Sequence, residues 1–146
     1  MNKETVDILR LLDEGKRIQI KPKGYSMYPM LVPGRDAAII IKADVNNVKR
    51  GNVVLYRRDG GMLVLHRIWK TSEEGIYLVG DNQVDIEGPL SKVQVKGILV
   101  AFVRKGKTIS ADNLLYRFIS RGWLSLRPWR NLIKKPLAKV KKCFRV

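Results

Sequence analysis

Three kinds of residue in this chain could together activate a hydroxyl and attack a carbonyl. They are a serine in an unusual loop, the only histidine, and an acidic loop behind an apolar run. The serine is Ser26, in "KPKGYSMYPMLVPGRD", residues 21–36. Pro29 and Pro33 restrict the backbone after it, and Gly24 before it permits close approach of another segment. The prolines do not suit a core strand, and Met27, Met30, Leu31 and Val32 do not suit a solvated loop. The segment therefore reads as a rigid apolar loop presenting Ser26. A serine hydroxyl is a poor nucleophile unless a base sits within hydrogen-bond reach. Ser72, Ser91, Ser110, Ser120 and Ser125 lack comparable surroundings. Cys143 lies in the basic C-terminal end, where a thiolate could be stabilised but partners are hard to hold in place.

The available histidine is His66, in "MLVLHRIW". Alternation puts it on a face with Met62, Val64 and Ile68, opposite Leu63, Leu65, Arg67 and Trp69. Such a histidine can be a packed core residue. An imidazole titrates near neutral pH, so it is also a natural acceptor for a serine proton. "LVGDNQVDIEG" then offers Asp81 and Asp85, with Glu87 following. Asp-Asn after an apolar run is a common loop start. A carboxylate there could equally fix the imidazole tautomer and stabilise imidazolium.

Elements that would carry these residues are visible in the patterning. Residues 1–16 predict an N-terminal helix, with Val6, Ile8, Leu9, Leu11 and Leu12 on its apolar side and Gly15 as its stop. From 17 to 110 the period changes. "RIQIKP", "DAAIIIK", "NVVLYRR", "MLVLHRIW", "IYLVG" and "VQVKGILVAFV" are short strand-like runs separated by turn-rich segments, which predicts a mainly antiparallel β domain. Asp59-Gly60 is expected to turn a hairpin. Residues 111–146 divide at Pro128 and Pro136 and predict short basic amphipathic helices. Trp123, Trp129, Lys134 and Lys135 there suit a membrane interface. The same helices could instead pack their Leu and Trp side chains on the β domain.

Composition sets the outer limits. A chain of 146 residues with 45% hydrophobic content can fold as one domain. Lys and Arg number 29 against 13 acids, a formal charge of +16. That excess implies an anionic partner. Residues 111–146 hold ten of the cations and one acid, Asp112. One cysteine and one histidine exclude a disulfide framework and argue against a zinc site, so no metal or other cofactor is expected. The N-terminal apolar run is broken by Asp7, Arg10 and Asp13, unlike a signal peptide or anchor. No window approaches 18 consecutive apolar residues. The expected location is cytoplasmic, with peripheral attachment to a membrane as an option. Nucleic acid is disfavoured as a partner, because zinc-finger spacing, an aromatic RNA-binding signature and a helix-turn-helix are all missing from the pattern.

Taken together, "GYSMYPMLVPGRDAAII", "VKRGNVVLYRRDGGMLVLHRI" and "YLVGDNQVDIEGPLSKVQVKGILV" resemble the signal peptidase I family of serine peptidases, in the superfamily that includes LexA-type self-cleaving repressors. The resemblance spans about residues 17–104. It rests on Ser26, Met27 and Pro29, on His66-Arg67 as in the branch with a histidine base, and on Gly80-Asp81-Asn82. It implies a signal peptidase-like β fold and a serine endopeptidase cutting a leader or signal-type peptide. Ser26 would be the nucleophile, His66 the base, and Asp81 the orienting acid, with Asp85 as the alternative. Met27, Tyr28, Met30 and Leu31 would line apolar substrate pockets or simply pack the core. The Ser26 backbone N–H would help hold the oxyanion. Three departures stand out: Gly24 where some relatives carry a hydroxyl, Arg35 between Gly34 and Asp36, and Asn52 where aspartate is usual. The transmembrane anchor typical of signal peptidases has no counterpart here. A non-catalytic peptide-binding or membrane-surface module of the same fold is the alternative.

Overall fold

The computed structural model describes residues 3–130. Its helix α1 (Lys3–Asp13) precedes strands β1 (Ile18–Ile20), β2 (Asp36–Lys42), β3 (Val53–Arg57), β4 (Leu63–Ser72), β5 (Gly75–Val79), β6 (Glu87–Leu90), β7 (Val95–Arg104) and β8 (Lys107–Ser110). Helix α2 (Leu114–Ser125) follows. All eight strands join one antiparallel sheet in the order β1-β2-β7-β3-β4-β5-β6, with β8 pairing the end of β7. The expected mainly antiparallel β architecture with an N-terminal helix is therefore present.

The β-branched runs become the inner strands. β2 and β7 pair along Asp36↔Arg104 to Lys42↔Gly97, and β3 sits on the other side of β7. Alternation along β3 divides the core in two. Val53 and Leu55 join Leu12, Met27, Leu31, Ile40 and Phe102, with α1 packed over them. Val54 and Tyr56 join Ile68, Ile76 and Leu78 on the other side. Because β4 pairs β3 with Val54 opposite His66 and Leu55 opposite Leu65, adjacent residues of β4 enter different cores.

Two strands were hidden in the sequence pattern. β6 is "EGPL", an edge strand paired only with β5, where Pro89 removes no inner ladder bond. β8 is the short hairpin return "KTIS". The β3–β4 turn also differs from the two-residue expectation. Arg58 N–H donates to the Met62 carbonyl at 2.9 Å, and Gly61 takes the left-handed conformation at φ 88°. A three-residue loop of this kind needs its glycine at that last position.

Residues 111–130 are held to the sheet. Asn113 caps α2 by accepting the Tyr116 N–H at 3.1 Å. Tyr116 packs on Phe102, and Ser120 and Leu124 are buried. No helix among the described residues is long and apolar enough to cross a membrane.

Candidate functional site

Ser26 is positioned by a clamp at the end of its loop. Buried Asp36 accepts the Val32 N–H at 2.9 Å and pairs with Arg104 at 2.8 Å and Arg35 at 2.9 Å. The two arginines reach back to the loop itself: Arg35 donates to the Pro29 carbonyl and Arg104 to that of Met30. Burial opposes the Asp36 charge, but hydrogen bonds from Arg104, Arg35 and Val32 keep its pKa below the ordinary value. Arg35, a departure at the sequence level, is thus part of what shapes the serine loop.

The loop is pinned to the acidic motif through backbone. Asn82 N–H donates to the Ser26 carbonyl at 2.8 Å. A Cβ on Gly80 would stand 2.5 Å from that same oxygen. Only glycine permits this approach. Gly80 follows Val79, whose strand partner is Arg67, the residue after His66. The segments around residues 26 and 80–82 therefore meet directly, one residue beyond the β4–β5 ladder that carries His66.

His66 is buried, with 3% of its surface exposed. Its Nδ1 lies 3.0 Å from the Tyr56 hydroxyl, which in turn donates to the Glu87 carboxylate. Arg58 holds the other Glu87 oxygen at 2.8 Å. Glu87 is 3.9 Å from Nδ1 itself. Burial lowers the His66 pKa to about 4, against the opposing pull of Glu87. Burial also raises the Tyr56 pKa, reinforced by Glu87. For Glu87, burial is overcome by hydrogen bonds from Arg58 and Tyr56, which leave its pKa lowered. At neutral pH the set is a carboxylate, a protonated phenol and a neutral imidazole.

That protonation pattern fixes the tautomer. The single phenolic proton goes to Glu87, so the Tyr56 oxygen must accept from His66 Nδ1–H. Nε2 then carries the free lone pair. Among the described residues Nε2 and Ser26 Oγ make no hydrogen bond to each other or to any other group.

Asp81 goes elsewhere. Its two oxygens bind Arg67 Nε and Nη2, each at 2.8 Å, and both side chains are fully buried. Arg67 also donates to the Gly51 carbonyl at 2.9 Å and the Tyr116 hydroxyl at 3.1 Å. Burial works against the Arg67 charge, but Asp81 outweighs it and the pKa is raised. The expected Asp81–His66 contact is replaced because a bidentate arginine one residue along the strand offers a stronger fit. Asp85, the alternative acid, is exposed and makes no bond to His66. Glu87 is the carboxylate linked to His66, through Tyr56. Tyr56 is separated from Glu87 by 31 residues, and only the register of β3 against β4 brings it to His66.

Other expected site residues divide clearly. Met27 and Leu31 are core, at 2% and 0% exposure, so they are unavailable as substrate walls. Tyr28 and Met30 are half-buried. An open cleft of about 470 Å³ instead lies over Arg58, Glu87 and the loop from Asn82 to Ile86. Trp123 is turned inward, donating its Nε1–H to the Asp81 carbonyl at 2.6 Å with Arg130 stacked on its ring. That corrects its reading as a membrane-facing residue: the indole is committed to the Gly80–Asn82 loop. Trp129 remains 60% exposed, while Lys134 and Lys135 lie outside the described residues. No group of His, Cys, Asp and Glu among the described residues could hold a metal ion.

Comparison with known proteins finds no matching family model, curated protein or solved structure.

Proposed function

We propose that this protein is a serine endopeptidase with a signal peptidase-like β fold, hydrolysing a peptide bond in a leader or signal-type segment. The observation that carries the proposal is the tautomer-fixing chain from Glu87 through Tyr56 to His66, with the Ser26 loop joined to the Gly80–Asn82 turn. In the reaction, Ser26 Oγ closes on His66 Nε2 and attacks the scissile carbonyl carbon. Nε2 takes the hydroxyl proton and passes it to the leaving amine, and water then releases the acyl group. Tyr56 and Glu87 take over the orienting role first expected of Asp81 or Asp85. The Ser26 N–H contributes to oxyanion binding. A peptide in the cleft beside Arg58 and Glu87 would approach from the side of β6, the sheet edge, where strand addition can align it.

One observation favours a second reading, a non-catalytic module that only binds a peptide: Ser26 and His66 make no hydrogen bond to each other. A fluorophosphonate probe separates the two. Labelling of the wild type that is lost in Ser26→Ala and strongly slowed in His66→Gln supports the peptidase. A wild type that resists the probe, or equal labelling of Ser26→Ala, would sink it.

A further inference from the structure

Helix α2 carries two faces with different tasks. Its inner face holds Tyr116, Ser120, Trp123 and Leu124 against the sheet and the acidic loop. The outer face is apolar and open. Leu114 is 81% exposed, Leu115 68%, Phe118 80% and Ile119 46%. At 100° per residue these side chains, with Gly122 between them, span an arc of about 140°. An apolar patch of this size, built from one helix face, marks an interaction surface.

Charge identifies what it fits. Arg117 and Arg121 border the arc on one flank. Beside them a cleft of about 260 Å³ between α2 and the sheet is lined by Lys49, Arg117 and Arg121, with Asp112 as its one carboxylate. From Asn113 to the C-terminus the chain has ten cations and no acid. A second copy of a chain with formal charge +16 would bring cations against cations. The segment from Asn131 to Val146 would do the same if it folded over the arc, since it holds six of those cations. Both occupants are disfavoured by like-charge repulsion.

We infer that the outer face of α2 is an interfacial docking surface for an anionic lipid bilayer. Leu114, Leu115, Phe118 and Ile119 enter the headgroup boundary, and the flanking arginines meet lipid phosphates. The inner face then matters to the candidate active site. Trp123 holds the Asp81 carbonyl, Arg127 the Val84 carbonyl, and Arg130 the carbonyls of Gly80 and Gln83. Docking of α2 would set the orientation of that loop relative to the membrane.

The test is co-sedimentation of the full chain with large vesicles, either phosphatidylcholine alone or phosphatidylcholine mixed with phosphatidylserine. The wild type is expected to bind the anionic vesicles, far less the neutral ones, and to weaken with added salt. Leu115→Ser/Phe118→Ser removes two exposed side chains, so the thermal midpoint should hold. Its vesicle affinity should fall about tenfold or more. Failure of the wild type to bind anionic vesicles overturns the inference. So does a double variant that binds as the wild type does, or a wild-type dimer in solution that the same double variant splits to monomers.

Discussion

His66 and Arg67 are neighbours on β4, yet they end in opposite kinds of polar network. Arg67 enters a closed one. Its donors go to Asp81, Gly51 and Tyr116, and neither charge reaches solvent. His66 enters an open one. One ring nitrogen is tied to Tyr56, the other makes no hydrogen bond among the described residues, and the chain continues through Glu87 to a half-exposed Arg58 beside a cleft. Saturated networks fix structure. A network with one unused, tautomer-defined lone pair is suited to proton transfer.

The contrast is broken most severely at Asp81. Asp81→Ala would leave the buried Arg67 charge without its carboxylate. A loss of roughly 3–5 kcal/mol is expected, read as a drop in the urea midpoint. Arg67→Met/Asp81→Leu should recover much of it, because replacing both partners removes the stranded charge. If Asp81→Ala costs no more than a surface substitution, the closed network is misassigned.

How much of this could be read from the sequence follows from the same contrast. Ser26 and His66 stood out by residue type and surroundings, and six strands by β-branched runs. The destination of Asp81 did not, since His66 and Arg67 are adjacent and strand alternation alone cannot say which one a loop carboxylate meets. Glu87 was hidden differently. It belongs to "EGPL", whose glycine and proline disguise a strand, and it acts through Tyr56, which reads as an ordinary core aromatic in "NVVLYRR". Met27 and Leu31 had two readings of equal standing, and the core claimed them because α1 leaves that side of the sheet incompletely covered without them.

On the open side, pH is the next lever. His66 titrates at about 4 when folded, against an ordinary value of 6.5. Between these values the unfolded chain binds the extra proton, so stability should fall as pH drops from about 6.5 to 4 and not respond to this group above that window. The effect is on the order of 3 kcal/mol. His66→Leu should lose this component, visible as a shallower decline of the urea midpoint than the wild type shows over that range. Parallel declines would contradict a buried neutral imidazole. Gly80→Ala tests the point where the serine loop meets the open network. Its methyl would stand 2.5 Å from the Ser26 carbonyl and 2.7 Å from Gln83 Oε1. A cost of about 1–3 kcal/mol is expected, along with slowed probe labelling as the loop is pushed away.

The smallest structural change carries the finest distinction. Tyr56→Phe removes one hydroxyl, at a stability cost of about 1 kcal/mol. Glu87 keeps Arg58, so no charge near His66 is lost. The imidazole loses the acceptor that holds its proton on Nδ1, and labelling of Ser26 should slow by about 10²-fold, the scale of a single acid–base contribution. The acid limb of the labelling profile should stay near the wild-type position, because the ring's electrostatic surroundings are unchanged. Glu87→Gln should behave otherwise. The Glu87 charge raises the His66 pKa against burial, so its removal should move the acid limb below the wild-type value. A slowed rate with a fixed limb in Tyr56→Phe, against a displaced limb in Glu87→Gln, assigns orientation to the phenol and charge to the carboxylate. Wild-type rates in both would reduce the chain to packing and leave His66 without an orienting group.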